Sequence, residues 1–217
     1  MKVSEAILLR KSVRQFLKDP VPNSLLRSLL EQASRSPSGG NLQPWHIYVI
    51  NEASMKDFLS FQESWKEPEV PAYEIYPHKL KEPYRTYRYE LGEEMYSLLG
   101  IPREDKDARV NQVLKNFTFF GAPAAIFCFI DKSMGPPQWS DLGMFLQTFM
   151  LLAQEQGIDT CAQEAWSLKS ESIYQFFNID KSDILFCGMC IGKKNENAEV
   201  NALNSKRRPL DTWATFV

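Results

Sequence analysis

Residues 136–157 read PPQWSDLGMFLQTFMLLAQEQG, a long stretch with helical spacing. Apolar side chains cover most of the surface of this helix between Leu142 and Leu152, and Gly157 is suited to end it. A helix that is apolar on nearly every side must be surrounded by other elements. The segment therefore predicts a long buried helix in a globular fold.

Three short runs of aromatic and β-branched residues predict buried strands on either side of this helix. They are WHIYVI at 45–50, GAPAAIFCFI at 121–130 and DILFCGMCIG at 183–192. GIDTCAQEAW, at 157–166, is expected to be a loop. Helical spacing predicts further helices over 3–10, 23–36, 53–64, 89–99, 103–120 and 167–178.

Side chains suited to helix N-termini stand at the start of several of these segments. A proline at position 37 marks the end of the second helix. The candidate capping residues, in chain order, are Ser4, Asn23 or Ser24, Glu104 or Asp105, and Ser167 or Ser170.

The composition is that of an ordinary globular protein, with 217 residues of which 44% are hydrophobic and 24% charged, so we expect a single domain over 1–217. A net charge of −2 gives no general attraction to nucleic acid or to an anionic membrane, and neither is expected as a partner. The longest apolar stretch, 122–130, is far shorter than the ~20 residues of a spanning helix. The four cysteines lack a disulfide spacing and no secretory signal opens the chain, which predicts a soluble, cytoplasmic protein.

A local concentration of positive charge occurs at residues 10–16, RKSVRQF. Arg10, Lys11 and Arg14 offer charge and forked donors, and Ser12 adds a hydroxyl, which together suit a phosphate group. The alternative is a helix C-terminus with its usual complement of solvated cations. In a mildly acidic chain, an anion site has to be made locally from a few such residues.

A glycine-rich loop, SPSGGNLQPWH, lies between the second helix and the first strand. Gly39 and Gly40 allow unusual backbone conformations, while Ser38, Asn41 and Gln43 supply neutral donors and acceptors. The loop suits a planar ligand with polar edges, although an ordinary turn is the alternative. It matches neither a dinucleotide fingerprint nor a phosphate-binding NTPase loop.

Two further segments indicate a ligand site only when they are considered together. TCAQEAW offers Gln163 and Glu164 after the long helix, and SKRRP offers Lys206, Arg207 and Arg208 near the C-terminus. Main-chain donors of the first and cations of the second suit opposite ends of one ligand. Taken singly, the first is a loop and the second a solvated basic tail.

The cysteine and histidine patterns favour structural roles. Cys187 and Cys190 have redox-motif spacing, but they lie in a strand, where their side chains would point to opposite faces. His46 and His78 are the only histidines, and the chain has no ligand pair for zinc. We expect no metal, and we expect His46 to be a packed residue rather than a general base.

Four segments at matching relative positions resemble the FMN-dependent nitroreductase family. They are RKSVRQF, SPSGGNLQPWHIYVI, the long helix with the following IDTCAQEAW, and RRPLD near the end. The resemblance covers nearly the whole chain and implies an α+β fold, a mainly antiparallel central sheet surrounded by helices. It also implies a homodimer in which the C-terminal tail, residues 193–217, is exchanged between subunits.

The resemblance also implies a division of the cofactor-binding residues. Arg10, Lys11, Ser12, Arg14 and either Arg207 or Arg208 would hold the FMN phosphate. A main-chain amide near Glu164 or Ala165, beside Gln163, would donate to the flavin N5. The loop that reaches the flavin from the other subunit would contribute Pro37, Ser38, Gly39, Asn41 and Gln43.

Residues 65–88 are rich in proline, tyrosine and charge, so we expect an excursion from the core, followed by a helix up to residue 100. By resemblance this part would cover the flavin, with Tyr84, Arg88 and Phe120 as candidate contacts of an acceptor. The alternative for Tyr84 and Arg88 is packing on the protein's own surface. For Phe120, packing in the core is the favoured interpretation.

The implied activity is an FMN-dependent oxidoreductase in which NAD(P)H and then a nitroaromatic or quinone-like acceptor react in a ping-pong order. No side chain is required as a catalytic nucleophile, since the flavin N5 carries the hydride. The same fold would also serve reductive dehalogenation, enoyl reduction, flavin reduction, oxidative dehydrogenation or a non-catalytic flavin-binding dimer. The sequence does not select between NADH and NADPH.

Overall fold

A computed structural model describes residues 1–217, and a four-stranded antiparallel sheet lies at the centre of the fold. The strands are β1 (His46–Asn51), β2 (Ala124–Asp131), β3 (Asp159–Gln163) and β4 (Asp183–Gly192), in the spatial order β1-β2-β4-β3. Three of them were predicted from apolar runs. The expected loop at 157–166 was wrong, because Asp159–Gln163 pairs along β4, with Asp159 opposite Gly192 and Gln163 opposite Gly188.

Seven α-helices surround the sheet, which gives the expected α+β architecture. Their positions agree with the helical spacing of the sequence at most places, but α4 begins at Tyr84 and therefore takes in residues assigned to the excursion. The helix expected over 103–120 is also wrong beyond Leu114, because Lys115–Gly121 forms a 3-10 segment in which Phe119 and Phe120 have positive φ. In chain order the helices are α1 (Val3–Leu9), α2 (Asn23–Ala33), α3 (Ala53–Ser64), α4 (Tyr84–Leu98), α5 (Lys106–Leu114), α6 (Pro136–Glu155) and α7 (Ser170–Phe177).

Most of the expected helix caps are replaced by other contacts. Asp105 does cap α5, since its side chain accepts from the backbone N–H of Ala108. At α1 it is Glu5, not Ser4, that accepts a hydrogen bond from the N-terminal turn, through the backbone N–H of Lys2. The start of α2 has no side-chain cap, and Ser170 instead donates to Val70 O, so neither Ser167 nor Ser170 caps α7.

The core is divided between the two faces of the sheet. One face packs aromatic rings of α3 and of the turns around it, including the fully buried Phe58 and Trp166, against Phe127. The other face packs α2 and α6, where Leu29 and Phe149 are fully enclosed. Each face therefore removes a continuous apolar layer from water, which is the main stabilising term of the fold.

The long helix α6 is buried on one side only. Leu142, Phe145 and Phe149 face the sheet, whereas Met144 keeps 39% of its surface exposed. The expectation that this helix is buried on nearly every side is therefore wrong for the single chain. No helix combines the length and the apolar character needed to cross a bilayer.

Residues 65–83 contain no helix or strand, as expected for an excursion, but their middle is tied to the core. Ala72 N donates to Ser167 O at 2.7 Å, and the hydroxyl of Tyr73 donates to Phe186 O on β4. The ring of Tyr73 also packs edge-on against Trp139. The excursion is therefore anchored near its centre, with α4 beyond it.

The C-terminal segment leaves the sheet after β4. Its first part makes a 3-10 turn at Glu199–Ala202, followed by the buried Leu203. Beyond that point every residue but Ala214 is exposed, including Trp213 at 59% and Phe216 at 82%. This arrangement brings residues 203–207 back beside the N-terminal stretch.

Candidate functional site

A cavity of about 340 Å³ opens where the two ends of the chain meet. The N-terminal stretch forms one wall, residues 203–207 form a second, and α4 and α6 contribute one residue each. The lining comprises Ile7, Leu8, Arg10, Lys11, Ser12, Arg14, Leu91, Gln147, Leu203, Asn204, Ser205 and Arg207.

Backbone pairing with β3 orients the N-terminal wall. Ser12 forms a parallel bridge with Thr160, and Val13 N donates to Thr160 O at 3.1 Å. Successive residues of an extended segment face opposite sides, so the buried Val13 leaves Ser12 and Arg14 on the open side. Because Val13 is buried in the core, its neighbours Ser12 and Arg14 face the cavity.

Asn201 fixes the C-terminal wall to the same stretch. Its Oδ1 accepts from Arg14 N at 2.9 Å, and its Nδ2 donates to Gln15 O at 2.8 Å. Both bonds join segments at opposite ends of the sequence. The side chain of Asn201 thus ties the two ends of the chain together through the main chain of the N-terminal stretch.

The structure separates the two arginines near the C-terminus. Arg207 lines the cavity, and its Nη1 donates to Ser205 O and Oγ at 2.9 and 2.7 Å. Arg208 lies away from the cavity, with its guanidinium 5.8 Å from the ring centre of Tyr87. Lys206 does not line the cavity either.

The cavity concentrates unbalanced positive charge. Arg10, Lys11, Arg14 and Arg207 form no ion pair with a carboxylate, and no acidic residue lines the cavity. Arg10 also has a buried Nε without a hydrogen-bond partner. Converging cations and an unused donor are unfavourable unless an anion joins them, so these residues fit a phosphate.

The positive field extends into the sheet behind the cavity. The pKa of the buried Cys161 thiol is lowered, first by its hydrogen bond with Cys190 and then by the nearby Arg14. Cys161 and Cys190 are directly opposite each other on β3 and β4. As the strand alternation predicts, Cys187 lies on the other face of the sheet from Cys190, so the two do not form a redox pair.

The glycine-rich loop lies outside the cavity of its own chain. None of its predicted residues, from Pro37 to Gln43, lines the cavity. Gly39 N donates to Asp141 Oδ2 at 3.2 Å, which fixes the loop against the first turns of α6. Gly40 has a φ of 58°, a left-handed conformation that glycine adopts without strain.

The three predicted residues at the end of β3 and in the turn after it differ in their surroundings. Gln163 is buried and its amide donates to Asn116 O at 2.8 Å, so the side chain is turned into the protein rather than towards a ligand. Glu164 is exposed, and partial desolvation raises the pKa of its carboxyl group. Ala165 is half-buried at the start of the same 3-10 turn, Glu164–Lys169.

A second cavity, of about 170 Å³, adjoins the first between α4 and α5. Arg88 and Phe120, two of the three expected acceptor contacts, line it, whereas Tyr84 is exposed and lines neither cavity. Sequence reasoning missed the polar residues of α5 and its following turn. The lining comprises Arg14, Arg88, Leu91, Gly92, Met95, Gln112, Val113, Asn116, Phe120 and Leu203.

His46 is not the packed residue that was expected. Its side chain is 55% exposed, and its Nδ1 lies 2.6 Å from Asp183 Oδ2 at the start of β4. This pair lies at the end of the sheet and lines neither cavity. No group of three or more His, Cys, Asp or Glu side chains is placed to hold a metal ion.

Comparison with known proteins adds an independent observation. Residues 7–193 match the sequence model of the Nitroreductase family. The chain is 32% identical to a 4-nitrobenzoate reductase of Pseudomonas putida, over 96% of this chain and 92% of that protein. It is also 32% identical to a nitrobenzene nitroreductase of Ectopseudomonas oleovorans, over 99% of this chain and 96% of that one.

A solved structure shares the fold over its full length. The FMN and NADPH-dependent nitroreductase NfnB from sphigopyxis sp. strain HMH superposes with a TM-score of 0.93 at 38% identity. The superposition covers 100% of this chain and 99% of that chain.

Proposed function

The chain belongs to the nitroreductase family, and on that premise we propose that it is a homodimeric FMN-dependent oxidoreductase that uses NADPH or NADH to reduce nitroaromatic acceptors. One observation carries the proposal. Four cations from both ends of the chain, none with a carboxylate partner, line one cavity. The neighbouring NfnB structure, a protein named for FMN and NADPH, supports the choice of cofactor and donor.

The phosphate of FMN is assigned to the cationic cavity. Arg10, Lys11, Ser12 and Arg207 line it and supply charge-assisted donors, with Arg14 beside them. The unused Nε of Arg10 is the donor that an anion would satisfy. Arg207 is preferred to Arg208 because Arg208 is directed towards Tyr87 instead.

When bound, FMN supplies the atom that accepts and returns a hydride, and the protein supplies binding and orientation. The main-chain amides of Glu164 and Ala165 are the proposed donors to the flavin ring. Their 3-10 turn is held rigid because Trp166, the next residue, is fully buried. A donor fixed in advance costs no reorganisation during the reaction.

We assign the loop 37–43 to the flavin of a second subunit, since it lies outside the cavity of its own chain. The exposed apolar surface supports such a dimer. Ile7 and Leu8 of α1 line the cavity while 52% and 80% exposed, and Trp213 and Phe216 are exposed on the tail. Covering these side chains by a second subunit removes apolar area from water, which favours association. Exchange of the tail between subunits is part of this proposal.

The excursion, with α4, is proposed to cover the flavin. Tyr73 and the backbone of Ala72 anchor it to β4 and to the turn beside the proposed ring site. Nitroaromatics are proposed as acceptors in preference to quinones because the relatives that match most of the chain are named for nitrobenzoate and nitrobenzene. NAD(P)H and the acceptor would use the site in turn, a ping-pong order.

The test starts with the purified protein and added FMN. We expect a yellow protein with one flavin per subunit, whose absorbance bleaches anaerobically on addition of NADPH or NADH. Addition of nitrobenzene should then restore the absorbance. A set of initial rates over both substrates should give parallel double-reciprocal lines if the order is ping-pong.

Two outcomes would contradict the proposal in different ways. A colourless protein that takes up no FMN would remove both the cofactor and the reaction. A yellow protein that neither nicotinamide reduces would leave a flavin-binding dimer without this activity. Stopped-flow comparison of NADH and NADPH then decides which donor is preferred.

A further inference from the structure

The cavity between α4 and α5 has the size of a single aromatic ring with its substituents. Its volume is about 170 Å³, and an apolar protein cavity of ~150 Å³ holds a benzene molecule. It shares Arg14, Leu91 and Leu203 with the cationic cavity, so a ligand in one lies next to a ligand in the other.

Apolar groups form much of its wall. Phe120 is 7% exposed and Leu203 is also 7% exposed, and both belong to the core of the protein rather than to its surface. Phe120 has a φ of 51°, an unusual conformation for a residue with a side chain, and such strain is found most often at binding sites. These apolar walls can pack against the two faces of an aromatic ring.

A side chain with an amide group lies among these apolar groups. Gln112 is only 4% exposed and lines the cavity. Asn116, one turn further on, also lines the cavity, but its amide donates to Val113 O and accepts from Gln163. The amide of Gln112 can donate to a polar group of a ligand in the cavity.

The charged residues that line the cavity favour an anionic ligand. Arg88 and Arg14 line it without a carboxylate partner, and no Asp or Glu belongs to the lining. The guanidinium of Arg88 lies 4.3 Å from the ring centre of Tyr76, which leaves its edge donors free for an oxyanion. An amide donor beside a guanidinium matches a carboxylate better than it matches a neutral substituent.

We propose that this cavity is an acceptor subsite for aromatic acids, in which Arg88 and Gln112 bind the carboxylate of a single-ring nitroaromatic acid. This inference rests on the proposed function, because it names the class of acceptor that the enzyme prefers. The apolar wall around Phe120 holds the ring. Arg88 and Gln112 are specificity-determining residues in this arrangement.

Binding of benzoate tests the subsite without any reduction, since benzoate has the ring and the carboxylate but no nitro group. Calorimetry on the FMN-loaded protein should give a dissociation constant that rises about tenfold or more in Arg88→Gln, as expected for loss of a hydrogen bond to a charged group. Arg85→Gln is the matched control, because Arg85 lies on the same helix but pairs with Glu82 and lines neither cavity. It should bind benzoate like the parent protein.

Kinetics with two acceptors tests the selectivity. We expect the ratio of kcat/KM for 4-nitrobenzoate to kcat/KM for nitrobenzene to fall about tenfold or more in Arg88→Gln and in Gln112→Leu. Thermal unfolding of the Gln112 variant checks that it folds. Arg88 is exposed, so its variant provides the same test without a change in the core.

The results separate the subsite from the proposed function. If nitrobenzene is reduced but Arg88→Gln and Arg85→Gln bind benzoate equally well, the subsite is wrong and the reductase stands. The subsite is also wrong if the parent protein binds neutral benzamide as tightly as benzoate. If neither nitro compound is reduced by an FMN-loaded protein, the proposed function fails, whatever the benzoate measurements show.

Discussion

Arg10 and Arg207 line the same cavity although they come from opposite ends of the chain. Two sets of hydrogen bonds bring these ends together: the side chain of Asn201 binds the main chain of Arg14 and Gln15, and Ser12 pairs with Thr160 on β3. Two guanidinium groups are thereby held together without a carboxylate between them. Repulsion between the guanidinium groups raises the free energy of the empty protein, and a bound anion offsets this repulsion.

Replacement of Arg10 or Arg207 by Ala should therefore weaken FMN binding without weakening the protein. We expect a loss of about 1.5 to 3 kcal/mol in FMN affinity, the range for hydrogen bonds to a charged group, measured by fluorescence titration of the apoprotein. The thermal midpoint of the apoprotein should stay the same or rise, because like charges are removed. Arg208→Ala serves as the control and should retain FMN. Equal FMN affinity in the parent and both variants would place the phosphate elsewhere.

Gly188 should not tolerate a side chain. A Cβ at this position would overlap Cδ1 of Trp166, which is fully buried next to the proposed flavin-ring segment. We expect Gly188→Ala to lower the free energy of unfolding by about 1 to 3 kcal/mol, as overpacked cores do, in a denaturant titration. In a double-mutant cycle with Trp166→Leu, the pair should be less destabilised than the sum of the single variants. Strict additivity would mean that the two positions do not clash.

The ion pair between Glu93 and Arg109 joins α4 to α5 and should make their attachment pH-dependent. Arg109 Nη1 and Nη2 reach the two carboxylate oxygens at 2.5 and 3.0 Å, and this bond lowers the pKa of Glu93 below its ordinary value of 4.5. A lowered folded-state pKa stabilises the protein above 4.5, and the stabilisation disappears as the pH falls through the folded-state pKa.

Thermal melts of Glu93→Gln check this prediction. The variant should melt below the parent protein at neutral pH, and the difference should close in acid. Glu94→Gln is the control, because Glu94 forms no ion pair. A difference that persists unchanged at low pH would show that the carboxylate charge is not responsible.

Tyr73 should anchor the excursion through its hydroxyl group. Tyr73→Phe removes the donor to Phe186 O and should cost about 0.5 to 1.5 kcal/mol, with faster amide hydrogen exchange in residues 65–83. Tyr89→Phe, at an exposed position, should change neither the stability nor the exchange.

Burial raises the pKa of Tyr73 above its ordinary value of 10.0, so the contribution of Tyr73 to stability is complete below that pH. It is lost as the pH rises through the folded-state pKa, and parent and variant should then converge.

The sequence by itself determined the elements that long apolar patterns encode. The helix at 136–157 and the three apolar strands were recognisable because many side chains repeat one period. The concentration of cations and a hydroxyl group in RKSVRQF also indicated a local site for an anion. These features depend on local spacing, which the sequence contains directly.

Tertiary structure alone decided the rest, because it depends on partners far along the chain. Asp159–Gln163 has too few apolar residues to signal a strand, and pairing with β4 makes it one. Gln163 turns inward because Asn116 accepts its amide, and Arg207 rather than Arg208 lines the cavity because of where residues 203–207 return. Gln112 became a candidate only because folding buries it in the wall of the cavity between α4 and α5, and burial is a property of the whole chain.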